Sequence, residues 1–204
     1  MCFRPLLIML LLCSSCSTKQ EKSVAKKESI QHEFLQKGAE IVNLTQSELL
    51  KNVSQAMQIG GPGYAIDFCN LRAMQLKDSL SRRNNCEIRR IALKYRNPLD
   101  MPQTRTEKDK LLHYQDAFQK GDSLHAEVFL FDDRIEYYQP IRIDKGACLV
   151  CHGNPGTQIS EETLAKIKAR YPNDLATGFS MNDFRGAWKI TFLKWLTGKI
   201  ENTI

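Results

Sequence analysis

The chain has 204 residues, enough for one domain with a hydrophobic core and too few for two large ones. Its 29 basic and 23 acidic residues give a formal net charge of +6. The basic side chains are spread along the sequence, with no dense cluster interleaved with aromatic residues. This pattern is typical of a solvated surface and excludes nucleic acid as an expected partner.

Residues 1–15 are typical of a secretory signal, because Arg4 and a short apolar run precede two serines and then Cys16. The apolar run is too short to span a bilayer. Small residues directly before a cysteine resemble the bacterial lipobox, which predicts that Cys16 is lipidated and anchors the exported protein at the periplasmic face of a membrane. Cys13 stands where the lipobox usually has leucine, so cleavage near Ser15 without a lipid is the alternative.

The first half of the mature chain predicts helices. Residues 16–30 are polar, lysine-rich and without periodicity, which predicts a flexible tether. Apolar residues recur at helical spacing over residues 31–57, which predicts a long amphipathic helix. Residues 60–63, Gly-Gly-Pro-Gly, break the chain. A second helix is predicted over residues 64–80, with Cys69 on its apolar face.

The second half predicts a small sheet and more helices. The predicted elements are a strand at 91–95, a helix at 106–119, the two strands of a hairpin at 126–131 and 135–143, a helix from Ser160 to about 168, and a last strand or pair within 178–192. Helices that flank a small, mainly antiparallel sheet define an α+β domain. The domain is predicted to span residues 31–195, followed by a C-terminal tail at 196–204.

Cys148-Leu149-Val150-Cys151-His152 is the attachment pattern of c-type haem. Thiols three positions apart can reach the two vinyl groups of one porphyrin, and the adjacent histidine can supply an axial nitrogen to the iron. With seven cysteines and four histidines in the chain, the chance of a random match is roughly 0.005. Since c-type haem is attached after export, the secretory signal independently favours one covalent haem.

The pattern has three other interpretations. A structural zinc site needs a second pair of ligands, and beyond the predicted cleavage site before Cys16 the sequence has no other Cys-x-x-Cys or His-x-x-x-His. A thioredoxin-like redox pair belongs at a strand-to-helix corner of a parallel unit, whereas a Gly-Pro loop follows here. A plain disulfide leaves His152 unexplained.

Several further segments occur in a characteristic order between residues 34 and 192. They are Ala65-Ile66-Asp67-Phe68-Cys69-Asn70, Tyr95-Arg96-Asn97-Pro98, Tyr138-Gln139-Pro140-Ile141, residues 148–153, Tyr171-Pro172-Asn173-Asp174 and Arg185-Gly186-Ala187. Together they resemble a bacterial family of single-haem c-type cytochromes with a PAS-like fold, long catalogued as a domain of unknown function. Its members occur alone or as the sensor portion of histidine kinases and chemoreceptors.

The resemblance implies a second axial ligand at Cys69, because the cysteine of the Ala-Ile-x-x-Cys segment can bind iron opposite the histidine. The alternatives are a buried structural cysteine and a disulfide between Cys69 and Cys86. Other candidates for the sixth ligand are weaker: they are His32, His113 and His125. The resemblance also suggests four residues of the haem pocket. They are Arg96, as the partner of a propionate or a plain surface arginine, with Asn97, Tyr138 and Pro140.

The first functional hypothesis is a redox or small-ligand sensor module that signals to another protein. A thiolate ligand favours ferric iron and a low potential, and its loss on reduction would open a site for a diatomic gas. The alternative hypothesis is a membrane-tethered electron-transfer cytochrome with a redox protein partner. The chain is not expected to be an enzyme, since a peroxidase would need a distal acid–base pair that the sequence does not offer.

Overall fold

The computed structural model describes residues 14–193, without the side chains of residues 14–19 and 69–74. The elements in chain order are α1 (Ser14–Arg83), β1 (Glu87–Ile91), a short 3-10 helix (Pro98–Asp100), α2 (Arg105–Gln119), β2 (Glu127–Leu130), β3 (Arg134–Arg142), α3 (Gly146–His152), α4 (Glu161–Arg170) and β4 (Phe184–Leu193). The strands form one antiparallel sheet in the order β1-β4-β3-β2. The prediction of an α+β fold with a small antiparallel sheet flanked by helices is confirmed.

Helix α1 covers one face of this sheet. Gly38 lies directly on the ring of Tyr137 in β3, so close that a Cβ at this position would lie within 2.7 Å of three ring atoms. Apolar side chains of α1 and of three strands form the main core here: Phe34, Ile41, Val42, Leu80, Ile88, Ile135, Tyr137, Trp188, Ile190 and Phe192. Phe34, Ile41 and Leu49 of the apolar stripe over residues 31–57 therefore pack in this core, whereas Leu44 is 41% exposed.

Helix α1 is interrupted where the glycines predicted a break. Gly60 and Gly61 have non-helical backbone angles, and the φ of +67° at Gly61 is one that glycine adopts without strain. At its other end α1 extends back to Ser14, so the tether predicted for residues 16–30 is helical instead of irregular. Residues 20–29 are exposed, and the lysine, glutamate, glutamine and alanine in this stretch are strong helix formers.

Two predictions at the ends of the chain lie largely outside the described residues. They are the signal peptide at 1–15 and the C-terminal tail at 196–204. Within residues 14–193, no helix combines the length and the apolar character needed to cross a membrane.

The first strand was predicted too far along the chain. The strand is Glu87–Ile91, paired with β4, and not residues 91–95. After Ile91 the chain leaves the sheet, because the N–H of Ala92 donates to the carbonyl of Asp100. The true strand was hidden because Arg89, which is 9% exposed, points a charge into the fold.

The second face of the sheet carries α2 over a buried network of charges. Glu107 of α2 accepts from Arg89 of β1 at 2.6 Å and from Lys189 of β4 at 2.9 Å. Lys189 also lies 3.0 Å from Glu136 of β3, which accepts from Tyr138 at 2.8 Å. Each buried carboxylate thus has a buried cation beside it, which is the condition under which charges are tolerated in a core.

Candidate functional site

The Cys-x-x-Cys-His residues form α3, a seven-residue helix. Cys148 and Cys151 lie three positions apart and are both partly buried, so their thiols share one side of the helix. His152 is the last residue of α3, and Gly153 caps it by donating its N–H to the carbonyl of Leu149 at 2.8 Å. The sequence did not predict this helix, since seven residues are too few to show a helical period.

The orientation of His152 is fixed by a neighbouring loop. Its Nδ1 lies 2.8 Å from the backbone carbonyl of Ala176, and a carbonyl can only accept, so Nδ1 carries the proton. The lone pair is therefore on Nε2, the nitrogen that can bind a metal. Phe179 packs edge-on against the imidazole with ring centres 6.3 Å apart. Burial, followed by the charges of Arg185 and Arg96, lowers the pKa of His152 well below its usual value, which keeps the ring neutral.

Arg96 holds this loop and α3 together. Its Nε and Nη2 donate to the two carboxylate oxygens of Asp174 at 3.1 Å each. Nη2 also donates to the carbonyl of Cys151 at 2.7 Å and to that of Ala176 at 3.2 Å. Asp174 in turn accepts from the N–H of Ala176 at 2.9 Å. Arg96 therefore stands behind His152 as a positioning residue, with these two nitrogens engaged by protein acceptors instead of being free for a propionate.

Backbone bonds complete the attachment of the loop to the end of α3. The N–H of Gly178 donates to the carbonyl of Gly153 at 2.8 Å, and that of Phe179 donates to the carbonyl of His152 at 2.9 Å. Gly153 has no room for a side chain, because a Cβ would lie within 2.8 Å of Gln158 and of a backbone oxygen. The histidine is thus held from both its side chain and its backbone.

Arg185 of β4 is a second buried arginine near the site, and the sequence analysis predicts no role for it beyond its place in the resemblance. It is 6% exposed, and its Nη1 donates to the carbonyl of Lys94 at 2.9 Å. Its Nη2 is buried and has no hydrogen-bond partner among the described residues. Burial, with the charges of Arg90 and Arg96, lowers the pKa of Arg185 to about 9, so the guanidinium still carries its charge at neutral pH.

The donor set around α3 fits a covalently attached haem. Apolar side chains pack beside Cys148 and offer a lining for a flat apolar ring: they are Ile143, Leu149, Ala176 and Phe179. Burial raises the pKa of both thiols, so Cys148 and Cys151 are neutral at pH 7. Thioether formation requires two thiols, and ligation of the iron requires an imidazole with Nε2 unprotonated. A propionate requires a cation, and the site offers each of these groups.

The alternative interpretations of the motif gain no support from the geometry. Cys148 and Cys151 are free thiols, not a disulfide. All strands of the described sheet are antiparallel, so α3 does not stand at the corner of a parallel unit. Among the residues whose side chains are described, no group of three or more His, Cys, Asp or Glu is placed to hold a bare metal ion.

Cys69 lies in α1 beyond the Gly60–Gly61 break, and its side chain is outside the described residues. The turn before it is tied to α4. Asp67 pairs with Lys166 at 2.7 Å and with Arg170 at 2.5 Å, while Ile66 is buried in a cluster with residues of α4 and the loop before it. This segment of α1 therefore has a defined place, although the ligand role of Cys69 stays a prediction.

The contacts of the other predicted pocket residues lie elsewhere in the fold, and their place in a haem pocket stays a prediction. Asn97 accepts from the N–H of Leu99 at 3.0 Å and so caps the 3-10 helix. Tyr138 is buried in a different cluster, under α2, and Pro140 pairs with Ala187 within the sheet. The three weaker candidates for an axial ligand, His32, His113 and His125, are exposed. Cys16 has a helical backbone, but its side chain is outside the described residues.

Cys86 is free and 8% exposed, in the core under α1. The disulfide between Cys69 and Cys86 that the sequence left open is therefore not formed in this structure. Burial raises the pKa of the Cys86 thiol to about 11. The residue is a core side chain here, with no contact to α3.

Fold and site together define an α+β domain in which a Cys-x-x-Cys-His helix is anchored to a loop through the ring of its histidine. The chain matches the model of the Tll0287-like family over residues 14–192, and it belongs to that family. A solved structure described as the cyanobacterial heme-protein Tll0287 is similar, with a TM-score of 0.60 and 23% identity over 84% of this chain and 98% of that chain. At this identity the likeness shows the fold alone. No curated protein matches the chain.

The family match confirms the resemblance drawn from the sequence. The matched range, residues 14–192, includes every segment that carried the resemblance, from Ala65 to Ala187. The order of short motifs was therefore sufficient to find the family.

Proposed function

We propose that this protein binds one c-type haem, attached through Cys148 and Cys151 and ligated by His152. The observation that carries the proposal is the hydrogen bond from His152 Nδ1 to the carbonyl of Ala176, because it commits the imidazole to the tautomer that can bind iron. The motif alone gives the residue types, and this bond gives them a working geometry. The similarity to a structure titled as a heme-protein supports the same proposal.

Attachment needs only the two thiols and the vinyl groups of haem. Each cysteine adds across one vinyl group: a sulfur–carbon bond forms, the S–H bond breaks, and its hydrogen goes to the other vinyl carbon. No electrons are lost or gained, so neither an oxidant nor a reductant takes part. The neutral thiols of Cys148 and Cys151 hold the hydrogen that this addition requires.

The bound haem would supply an iron that exchanges one electron. His152 would hold one axial position, and Cys69 is proposed for the other, as a thiolate that stabilises the ferric state. Arg96 and Asp174 would keep the imidazole aligned through the Ala176 carbonyl. This outer set matters because partners of a metal-bound histidine tune both its orientation and its basicity.

We propose a redox or ligand sensor as the role of this site. The two proposed ligands come from different elements, α3 and the part of α1 after the Gly60–Gly61 break. Cys69 would bind as a thiolate in the oxidised protein and leave as a thiol, after one electron from a protein partner and one proton from solvent. The vacated position would then accept a diatomic gas.

Electron transfer is the alternative role, and one observation favours it. The ring of His152 bonds to the carbonyl of Ala176, and the carbonyls of Cys151 and His152 accept from Arg96 and from the N–H of Phe179. This half of the site is therefore rigid. A rigid ligand that stays on the iron in both oxidation states suits a carrier.

Either role is proposed for an exported, non-enzymatic protein that is held on a membrane through lipidated Cys16.

Haem binding is tested by producing the full chain in a bacterium with active c-type maturation. Intact mass spectrometry after denaturation, together with the pyridine haemochrome spectrum, should find one covalent haem per chain. Cys148→Ala and Cys151→Ala should each leave at most one thioether, whereas Cys86→Ala is the matched control and should retain both. A wild-type chain without covalent haem would refute the proposal.

Metabolic labelling with a radioactive fatty acid tests the lipid anchor. The label should be lost in Cys16→Ala.

The two roles are separated by spectra of the oxidised and reduced protein with and without carbon monoxide. A sensor should bind the gas after reduction, and Cys69→Ala should remove a thiolate signature from the oxidised spectrum, while Cys86→Ala changes neither. A haem that is six-coordinate in both states and ignores carbon monoxide would end the sensor proposal and leave the carrier.

A further inference from the structure

Arg185 is a buried, charged side chain near α3. Among the described side chains in this part of the fold, it is the one with a buried nitrogen that makes no hydrogen bond. Nη2 has less than 1 Å² of exposed surface and no partner. An unsatisfied buried donor on a charged group is costly, and natural structures rarely keep one unless a ligand or water completes it. The missing group must be an acceptor, and an anion is favoured because the guanidinium is charged.

The neighbouring acids are already taken. Asp174 receives two bonds from Arg96, and Asp100 receives two from Arg90. Asp183, which lies with Arg185 on a cavity of about 210 Å³, accepts from the N–H of Ser180 at 2.7 Å. Asp174 and Asp100 are thus each bonded to another arginine, Asp183 accepts from a backbone N–H, and none of the three accepts a hydrogen bond from Arg185 Nη2.

Arg185 is also close enough to serve the proposed haem. Its Cζ lies 5.3 Å from the ring centre of Phe179, and that ring centre lies 6.3 Å from the centre of the His152 imidazole. The guanidinium is therefore no more than about 12 Å from the imidazole centre, and both groups lie against the Phe179 ring. Haem carries two carboxylates on flexible arms, which would bring the missing anion to this part of the site.

We infer that Arg185, and not Arg96, binds a propionate carboxylate of the haem, through Nη2. The inference rests on the proposed haem binding. It assigns the two arginines different tasks: Arg96 positions the axial histidine, and Arg185 holds the cofactor's own charge. Arg185→Gln should then remove the propionate contact, whereas Arg185→Lys keeps the charge and loses the planar donor geometry.

The test uses the haem-loaded full chain, with Arg134→Gln as the control. Arg134 pairs with Leu193 at the other end of β4, eight residues and about 27 Å along the strand from Arg185. In Arg185→Gln the ratio of reduced to oxidised haem at a fixed potential should fall about tenfold or more, since the guanidinium lies no more than about 12 Å from the centre of the His152 ring, and a unit charge at that distance has a tenfold effect at an effective dielectric of about 20. That is a shift of about 59 mV for one electron.

Resonance Raman spectra give the readout that a merely structural role would not move. The propionate bending mode should shift in both Arg185→Gln and Arg185→Lys, while the potential shifts only in Arg185→Gln and neither shifts in Arg134→Gln. A propionate mode that is the same in Arg185→Gln and wild type would overturn the inference and leave haem binding intact.

A crystal structure of the haem-loaded wild-type chain tests the same contact without a variant, in case the variants do not fold. A propionate oxygen within hydrogen-bonding distance of Arg185 Nη2 supports the inference. Water, or a free anion such as acetate, on Nη2 with both propionates elsewhere overturns it. A wild-type chain that attaches no haem refutes both the proposed function and this inference. Bound haem without a propionate on Nη2 refutes the inference alone, so the two failures are distinguishable.

Discussion

Replacing Glu107 by glutamine tests whether the buried charges under α2 hold the sheet together. Glu107 is 1% exposed and accepts from three donors: Arg89 at 2.6 Å, Lys189 at 2.9 Å and the N–H of Gln103 at 2.7 Å. It thereby ties α2 to β1 and β4, and β4 carries Arg185. Glutamine has nearly the same shape but only one oxygen, so the change removes charge and one acceptor without creating a cavity.

The expected cost is about 3 kcal/mol of unfolding free energy. Removing one partner of a buried ion pair costs roughly 3–5 kcal/mol, because the other charge stays buried without compensation. Two contacts remain and place the value at the lower end. Arg89 still donates to the carbonyl of Met101 at 3.2 Å, and Lys189 still lies 3.0 Å from Glu136.

Asp116→Asn is the matched control, on the same helix and with the same chemistry. Asp116 pairs with Lys120 one turn away at 2.7 Å, but both side chains are more than half exposed. Breaking an exposed pair of this kind costs about 0.3–0.5 kcal/mol. Urea unfolding of the haem-loaded protein, followed by circular dichroism, gives both values. If Glu107→Gln cost no more than Asp116→Asn, the network would not stabilise the fold and the reasoning would be wrong.

The same variant has a defined pH dependence. Burial alone would raise the pKa of Glu107, but the bonds from Gln103 and Lys189 and the nearby positive charges outweigh it, so the pKa is lowered in the folded protein. A lowered pKa stabilises the fold above the unfolded value of about 4.3, and that stability is lost as the pH falls through the folded value. The difference between wild type and Glu107→Gln should therefore be constant near pH 7 and shrink below about pH 4.3.

Three further predictions concern α1, the loop behind the histidine and the free thiol. Gly38→Ala should lower the unfolding free energy by about 1–3 kcal/mol in urea, since its Cβ would overlap the Tyr137 ring, while Gly63→Ala, with open space around it, should not. Asp174→Asn should let added imidazole displace the axial histidine at least about tenfold more readily in an absorption titration, and unchanged titration would argue against a positioning role. Cys86 should resist iodoacetamide at pH 8 until the protein unfolds, because with a pKa of about 11 roughly one thiol in a thousand is ionised.

Elements with a long or strongly local signal were predictable from the sequence. From the apolar stripe of residues 31–57, Phe34, Ile41 and Leu49 lie on the face of α1 that packs on the sheet. Ser160 caps α4, as its side chain accepts from the N–H of Thr163 at 3.2 Å. The hairpin of β2 and β3 follows the two β-rich runs around Asp132 and Asp133. Each signal lies within a few residues of the structure it specifies, so no tertiary contact was needed to find it.

The misplaced strand and the unseen helix have different physical causes. In β1 the inward-facing Arg89 breaks the alternation of apolar and polar residues, and its partner Glu107 is 18 positions further along the chain. In α3 the seven residues serve the cofactor motif and leave no periodic pattern. Long-range charge pairing and a short functional helix both lie beyond what a local pattern can carry.

The roles of the arginines depended on partners that only the fold supplies. The family segment predicts Arg96 either as the partner of a propionate or as a surface arginine. The fold instead brings Asp174, 78 positions away, onto the guanidinium, together with the carbonyls of Cys151 and Ala176. The sequence identifies a residue type that can bind a carboxylate, but the choice between a protein acid and a cofactor acid is made by tertiary contacts.

The two halves of the proposed site are held by contacts of unequal strength, and this favours a sensor. His152 is tied through Arg96 and Asp174, whose paired side chains are 11% and 6% exposed, so this ion pair is shielded from water and salt. The segment before Cys69 is held by the buried Ile66 and by Asp67, which pairs with Lys166 and Arg170 of α4. The side chains of Lys166 and Arg170 are 38% and 48% exposed, and exposed pairs contribute little. This segment also follows the non-helical backbone angles of Gly60 and Gly61 in α1. A change at the iron would therefore move the Cys69 side first, and any displacement would pass into α1, the helix that covers the sheet and extends beyond it.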